Sequence, residues 1–417
     1  MNVYLETYGC TANKSDERTA QGLLRQANHH IVPTMAQADI LLLITCTVVD
    51  RTEQRMLSRI RLFQKTGKPL IITGCMAAVQ PDLITAIAPH ARLLPPARLH
   101  SLPDLIANRP STTPTQPRTR LPKYHTGVIA PLAIAEGCDY ACAYCITHQA
   151  RGPLHSYPQP DIISDVRDAL AAGCREIQLT AQDTASYGRD TGDSLAHLLQ
   201  TVSALPGSFF LRVGMMNPGS LTPPLDPLIT AFQHPKVYKF LHLPLQSGDD
   251  EVLTRMNRTY TTATFHHCIN AFRHALPEIT IATDIIAGFP GETEQQAAHT
   301  LDFLETIQPD IVNVTRYSAR PLTPAKTLPH RLTTQVMKDR SRRLAAQALR
   351  LAHERNQRFI GRHLPILLTE HGKNDTMIGR TTTYKQVLIP TTNLPPGTTC
   401  EVEIIDASST SLFGKLI

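Results

Sequence analysis

The sequence predicts an α/β protein in three parts: an N-terminal parallel βαβ domain, a central partial (β/α)6 barrel and a small C-terminal all-β barrel. Three observations carry this reading. Short apolar strands alternate with helices over the first 90 residues. The same alternation returns further along at a spacing of about 30 to 40 residues, as βα units require. The last 57 residues lose helical periodicity.

In order, "NVYLETYGC" is a β-rich run, and "SDERTAQGLLRQA" is a helix with Ser15 or Asp16 as N-cap. "DILLLITC" is an apolar strand, "TEQRMLSRIRLFQKTG" a helix with Met56, Ile60 and Phe63 on one face, and "KPLIITGC" a third strand. Short apolar strands separated by helices make a parallel sheet. Cys10, Cys46 and Cys75 each stand just past one of these strands. The carboxyl ends of parallel strands share one edge, where ligands bind. A lone cysteine is usually a small buried hydrophobe. Three in equivalent positions predict a metal site.

From Leu93 to Lys123 prolines break any long element, so a linker is expected. The domain boundaries are placed at 1–95, 96–125 for the linker, 126–356, and 357–417. In the central part "PLAIAEG", "EIQLT", "FFLRVG", "KFLHLPL", "ITIATDIIAG" and "DIVNVTRY" are candidate strands. Each runs into a polar or Gly/Pro-rich tail, as functional barrel loops do. Six units rather than eight give an open barrel. "VMKDRSRRLAAQALRLAHERNQRF" is a basic helix that docks through Leu344, Ala348, Leu351 and Phe359 with its arginines outward. "LPILLTE", "MIGRTTTYKQVLIP" and "CEVEIIDA" are the strands of the last module, of a size that binds nucleic acid.

The apolar share of 42% is that of a globular protein, and nine cysteines are few for a disulfide framework. No apolar run approaches the roughly 18 residues of a membrane span. No basic-then-apolar leader opens the chain. The expectation is a cytoplasmic protein with no membrane partner. Residues 311–417 hold 16 Lys+Arg against 7 Asp+Glu, a net of +9, whereas the remainder holds 25 against 28, a net of −3. A basic C-terminal quarter predicts a polyanion partner; a solvated helix face is the alternative.

"GCDYACAYC" holds Cys138, Cys142 and Cys145 with no fourth cysteine nearby. Zinc with His148 as fourth ligand is one reading. An iron–sulfur cluster with one iron left open is the other. The position, after the first barrel strand, favours iron, and Tyr144 is placed to lie against a planar ligand.

This Cys-x3-Cys-x-aromatic-Cys pattern resembles the signature of radical S-adenosylmethionine enzymes. In that family the open iron binds S-adenosylmethionine, and an electron from the cluster cleaves it to a 5′-deoxyadenosyl radical. "ETYGCTANKSDE", "TCTVVDRTEQRM" and "ITGCM" resemble the N-terminal domain of the methylthiotransferases. That likeness implies a second [4Fe–4S] cluster on Cys10, Cys46 and Cys75. "LTAQDTASYG", "RVGMMNP", "LHLPLQSGDDEVLTRMNRTY", "DIIAGFPGET" and "NVTRYSARPLTPA" are similar to the central domain of that family, and "IGRTTTYKQVLI" to its RNA-binding TRAM module. Ala185 and Asp249 depart from it, where glycine and serine are usual.

The wording is closest to the archaeal and eukaryotic branch, which acts on N6-threonylcarbamoyladenosine beside the tRNA anticodon. The resemblance implies two S-adenosylmethionine per turnover, an electron-donor protein and a sulfur donor whose identity it leaves open. Isopentenyladenosine in tRNA or a ribosomal protein is the alternative substrate, and a zinc-stabilised RNA-binding protein the alternative class.

Candidate cofactor contacts are Tyr144, Gln182, Asp183, Arg212, Gln246 and Ser247, with Gln182 and Asp183 equally able to cap a helix. Arg212 inside a strand needs a partner. Gly288, Gly291 and Glu292 shape a loop against the cofactor or form a plain turn. Arg316 and Arg320 are candidates for the threonyl carboxylate or a phosphate. Arg380, Tyr384 and Lys385 are candidate RNA contacts. Cys174, Cys268 and Cys400 are read as structural.

Overall fold

The computed structural model describes residues 1–110, 118–221, 223–390 and 393–417. The first unit is a parallel sheet of β1 (Asn2–Thr7), β2 (His30–Ile31), β3 (Ile40–Thr45), β4 (Leu70–Gly74) and β5 (Arg92–Leu94) in the order β2-β1-β3-β4-β5. The short edge strands β2 and β5 were not expected; two or three residues carry too little periodicity to be read. Every residue of β3 is buried, because helices cover both faces of the sheet. Helix Thr11–Gln26 packs on one face through Ala20, Leu23 and Leu24. Helix Asp50–Gln64 packs on the other through Met56, Leu57, Ile60 and Phe63.

The expected linker is corrected in part. Pro96–Ser101 and Leu102–Ile106 are short helices with prolines in their first turns, where a missing N–H costs nothing. Leu99, Leu102, Ile106 and Leu121 are buried in the N-terminal core. Most of the segment "PSTTPTQ" lies outside the described residues.

The barrel strands run β6 (Ile129–Ala133), β9 (Glu176–Thr180), β10 (Phe210–Val213), β11 (Phe240–His242), β12 (Thr280–Ala287) and β13 (Ile311–Arg316), all parallel within two sheets of three. A Leu211–Val237 bridge and the Met216 N–H on the His242 carbonyl join the two sheets. Between β6 and β9, β7 (Ala135–Glu136) and β8 (His155–Ser156) pair antiparallel and pinch the ends of the cysteine loop. Asp249 accepts from the Val252 N–H as N-cap of helix Asp250–Arg255, a capping task serine also performs.

The basic helix spans Thr334–Gln357 and buries Leu344, Ala348 and Leu351. Its arginines do not all face outward: Arg340 is buried on Glu292 at 2.7 Å, and Arg355 meets Asp310 at 2.8 Å. Eight of the sixteen cations in 311–417 stand in ion pairs (Arg320, Arg340, Arg342, Arg343, Arg350, Arg355, Arg362 and Lys385). Four of them, Arg320, Arg340, Arg355 and Lys385, are largely buried and so internal to the fold.

The C-terminal unit is a closed barrel of β14 (His363–His371), β15 (Thr376–Thr381), β16 (Gln386–Pro390), β17 (Thr399–Ala407) and β18 (Leu412–Leu416), in the order β14-β15-β16-β18-β17. "MIGRTTTYKQVLIP" is thus two strands joined by a turn. Among the described residues no helix is long and apolar enough to cross a membrane.

Candidate functional site

Cys10 precedes helix Thr11–Gln26 as its N-cap residue, Cys46 follows β3, and Cys75 opens helix Cys75–Val79 directly after β4. Because β1, β3 and β4 are neighbours, the three thiols share one sheet edge. Gly9, with φ +115°, lets the loops meet: a Cβ there would stand 2.7 Å from the Cys46 Cβ. Burial pushes the Cys46 thiol up to about 11 and raises that of Cys75, which Arg151 partly offsets.

The second triad rides on a loop sewn down by backbone. Gly137 has φ +79°, and a Cβ would fall 1.8 Å from the Pro153 carbonyl, so only glycine turns the chain there. The Gly137 N–H donates to Gln182 Oε1 at 2.7 Å, and the Cys138 N–H to the Gly152 carbonyl at 3.0 Å. The Ala143 N–H reaches the Met256 carbonyl at 2.9 Å. Burial pushes the Cys138 thiol up to about 12 and raises that of Cys142, which Arg258 partly offsets. Arg258 Nη1 stands 3.0 Å from Cys142 Sγ and donates to the Tyr144 hydroxyl at 3.5 Å. Its Nη2 donates to Asn217 Oδ1 at 2.6 Å. The Tyr144 ring packs against the cluster of Val252, Met256, Phe289 and Ala325.

Of the six cysteines Cys145 alone lines a cavity to which the loop after Cys46 also contributes. This cavity of about 310 Å³ is walled by Val48 and Val49 from the loop after Cys46, by Tyr144, Cys145 and Ile146, and by the ends of β12 and β13. Cys75 packs with Ile146 and Ala150. Arg151 ties the sides together, donating to Asp16 at 2.7 Å, Glu136 at 2.9 Å and Asn13 Oδ1 at 2.9 Å. Among the described residues no three His, Cys, Asp or Glu side chains are arranged to hold a metal ion as they stand. The donor chemistry nevertheless fits iron–sulfur clusters: two sets of three thiols, of which Cys46, Cys75 and Cys142 are buried and Cys10 is exposed. His148 holds the Cys138 carbonyl with Nδ1 at 2.5 Å.

Several expected site residues have other work. Gln182 anchors the base of the cysteine loop. Asp183 is buried and accepts from the Ala185 and Asn217 N–H groups and the Ser186 and Ser220 hydroxyls, so it is a cap without lone pairs for a cofactor. Ser247 is buried, accepts from the Asp249 N–H and stands 3.4 Å from the Thr300 hydroxyl, which corrects its cofactor role. Gln246 does line the cavity, at φ +70°. Gly288 donates its N–H to Glu292, whose carboxylate holds Arg340; that loop anchors the basic helix.

Arg320 is buried on Glu53 at 2.7 Å and free for no ligand, whereas Arg316 lines the cavity. Tyr384 and Lys385 are corrected outright. They sit on the β15–β16 turn and plug the amino end of the barrel: the Tyr384 hydroxyl donates to Glu176 at 2.9 Å and Lys385 Nζ to Asp310 at 2.9 Å. Arg212 and Arg380 lie over the Tyr384 ring at 5.8 and 4.9 Å, so the partner Arg212 finds is an aromatic face, and Arg380 belongs to the same plug. Cys174, Cys268 and Cys400 stand apart from both triads; the first two are buried. Arg151, Arg258 and Asn217 were missed. Asn217 and Arg258 lie within stretches quoted above and Arg151 does not, and no local pattern marks an arginine that will meet a thiol.

Residues 2–94 match the uncharacterized protein family UPF0004, 132–304 the radical SAM superfamily and 357–417 the TRAM domain. The chain is 38% identical to the probable threonylcarbamoyladenosine tRNA methylthiotransferase of Methanothermobacter thermautotrophicus, covering 99% of both chains. It is 38% identical to the probable enzyme of the same name from Pyrococcus horikoshii, over 100% of both. The threonylcarbamoyladenosine tRNA methylthiotransferase of Drosophila melanogaster is 34% identical over 100% of this chain and 77% of its own. Among solved structures, the radical S-adenosylmethionine methyltransferase TsrM from Kitasatospora setae shares the fold, with TM-score 0.58 and 12% identity over 78% of this chain and 76% of its own.

Proposed function

Since the chain belongs to the threonylcarbamoyladenosine tRNA methylthiotransferase family, we propose that it converts N6-threonylcarbamoyladenosine, next to the tRNA anticodon, to its 2-methylthio derivative. The observation that carries this is the gathering of Cys10, Cys46 and Cys75 at one end of one sheet, with Cys75 packed on Ile146 and Ala150 just past the second triad. A [4Fe–4S] cluster on Cys138, Cys142 and Cys145 would supply the electron that cleaves S-adenosylmethionine, and one on Cys10, Cys46 and Cys75 the methylthio group. An adenine C2–H is not acidic and gives a general base no purchase, which makes a radical route chemically sensible.

The protein's own contribution is position and dryness. Arg258 steadies Cys142 and Tyr144; Arg151 and Arg320 lock the N-terminal unit over the barrel mouth. An anticodon-loop base is already single-stranded, so splaying it into a cavity costs little. Lys326 and Arg331, exposed beyond the cavity and in no ion pair among the described residues, suit the RNA backbone. Two S-adenosylmethionine per turnover and a separate electron donor complete the proposal.

The test is mass spectrometry of tRNA nucleosides from a host lacking its own methylthiotransferases. The intact gene is expected to yield 2-methylthio-N6-threonylcarbamoyladenosine, and Cys142→Ala or Cys46→Ala none. A methylthio group on isopentenyladenosine instead would overturn the substrate assignment; a colourless, zinc-loaded protein would overturn the reaction.

A further inference from the structure

We propose that Arg316 is the specificity-determining residue that reads the carboxylate of the N6-linked threonine. This rests on the function proposed above and deepens it.

Arg316 ends β13 at the cavity wall. It is the only cation among the residues lining that cavity, and it makes no hydrogen bond, ion pair or ring contact with any described residue. Three other arginines around the site are engaged. Arg320 is buried on Glu53, Arg258 faces Cys142 and Asn217, and Arg151 faces Asp16 and Glu136. The one lining anion, Asp284, already holds His242 at 3.1 Å and accepts from Asn313 Nδ2 at 2.8 Å, so it does not draw Arg316 off.

The wall beside Arg316 is polar, made of Asn313, Thr315 and Ser318, while the wall toward the N-terminal unit is Val48 and Val49. The volume is at the lower end of small-ligand pockets, about 300–1,000 Å³. An adenine fits the apolar side, and the hydroxyl, ureido and carboxylate groups of its substituent match the polar side. A guanidinium presents a planar fork that binds a carboxylate through two N–H donors. An isopentenyl substituent offers that cation no anion, so the same residue favours the acid over it.

The test uses iron-loaded protein without reductant, so that binding is read apart from turnover. Fluorescence anisotropy would follow three anticodon stem-loop RNAs, carrying threonylcarbamoyladenosine, its methyl ester, or unmodified adenosine. The intact protein is expected to bind the free acid about tenfold more tightly than the ester, as a charge-assisted contact allows. Arg316→Gln is expected to erase that gap while leaving ester and adenosine RNAs unaffected; Arg316→Lys restores part of it. Circular dichroism and iron content check that the variants fold and load.

Equal weakening of all three RNAs by Arg316→Gln would overturn the proposal in favour of a phosphate contact. Weaker S-adenosylmethionine binding with RNA selectivity intact would place the residue on the cofactor. An intact protein that binds the threonylcarbamoyladenosine RNA no better than the unmodified one would instead overturn the function itself, a separate result from losing only the dependence on Arg316.

Discussion

Arg320 donates to the Glu53 carboxylate at 2.7 Å, joining the tail of β13 to the N-terminal unit beside the loop that follows Cys46. Both side chains are largely buried, and Glu53 also accepts from Gln80 Nε2 at 2.6 Å. Breaking a buried pair strands a charge, at a cost of about 3–5 kcal/mol. We expect Arg320→Ala to lower stability by that order in denaturant unfolding, and Arg320→Ala with Glu53→Ala to recover part of the loss. Simple additivity of the two single variants would show that they are not coupled.

Arg258 is the donor nearest the radical-site cysteines, 3.0 Å from Cys142 Sγ. Groups that orient metal ligands are worth roughly 10- to 100-fold in activity or metal affinity when removed. Arg258→Ala is expected to lose methylthiolation by that factor, with a changed electron paramagnetic resonance signal from the reduced cluster. An unchanged spectrum together with full activity would assign Arg258 to packing alone.

Tyr384 sits on the TRAM module yet donates to Glu176, a fully buried residue of the central barrel. Tyr384→Phe leaves that carboxylate short of a donor, at about 1–3 kcal/mol. The expected result is a lower melting temperature with RNA affinity unchanged below it. Weakened RNA binding at unaltered stability would return Tyr384 to the RNA face.

Asp310 ties the same interface. Burial raises its carboxyl, but Lys385 and Arg355 outweigh that and hold it below the ordinary value. A depressed carboxylate contributes stability fully above its unfolded pKa, near 3.9, and loses it as pH falls through the lower folded value. Burial pushes the Lys385 ammonium down from its ordinary value, and Asp310 partly offsets that. Iron-free protein is expected to lose stability as pH falls below about 4, measured by denaturant unfolding, with a shallower slope in Asp310→Asn. Equal slopes in the two proteins would exclude the linkage.

The sequence by itself determined the strand–helix alternation, the closing β-rich module and the placement of six cysteines just past strand ends. Each of these is a local property: a period of two or 3.6, and a residue's distance from the end of a run. The need for glycine at Gly9 and Gly137 comes from the tertiary structure, through close approaches to Cys46 and Pro153. The tertiary structure decided which charged side chains are free. Arg316 and Arg320 look alike in "RYSAR", yet one faces the cavity and the other is buried on a carboxylate 267 positions away. Tyr384 and Lys385 look like an exposed turn, yet the barrel's amino end closes over them. An ion pair or a plug depends on what folding brings alongside, and no window of neighbouring residues contains that partner.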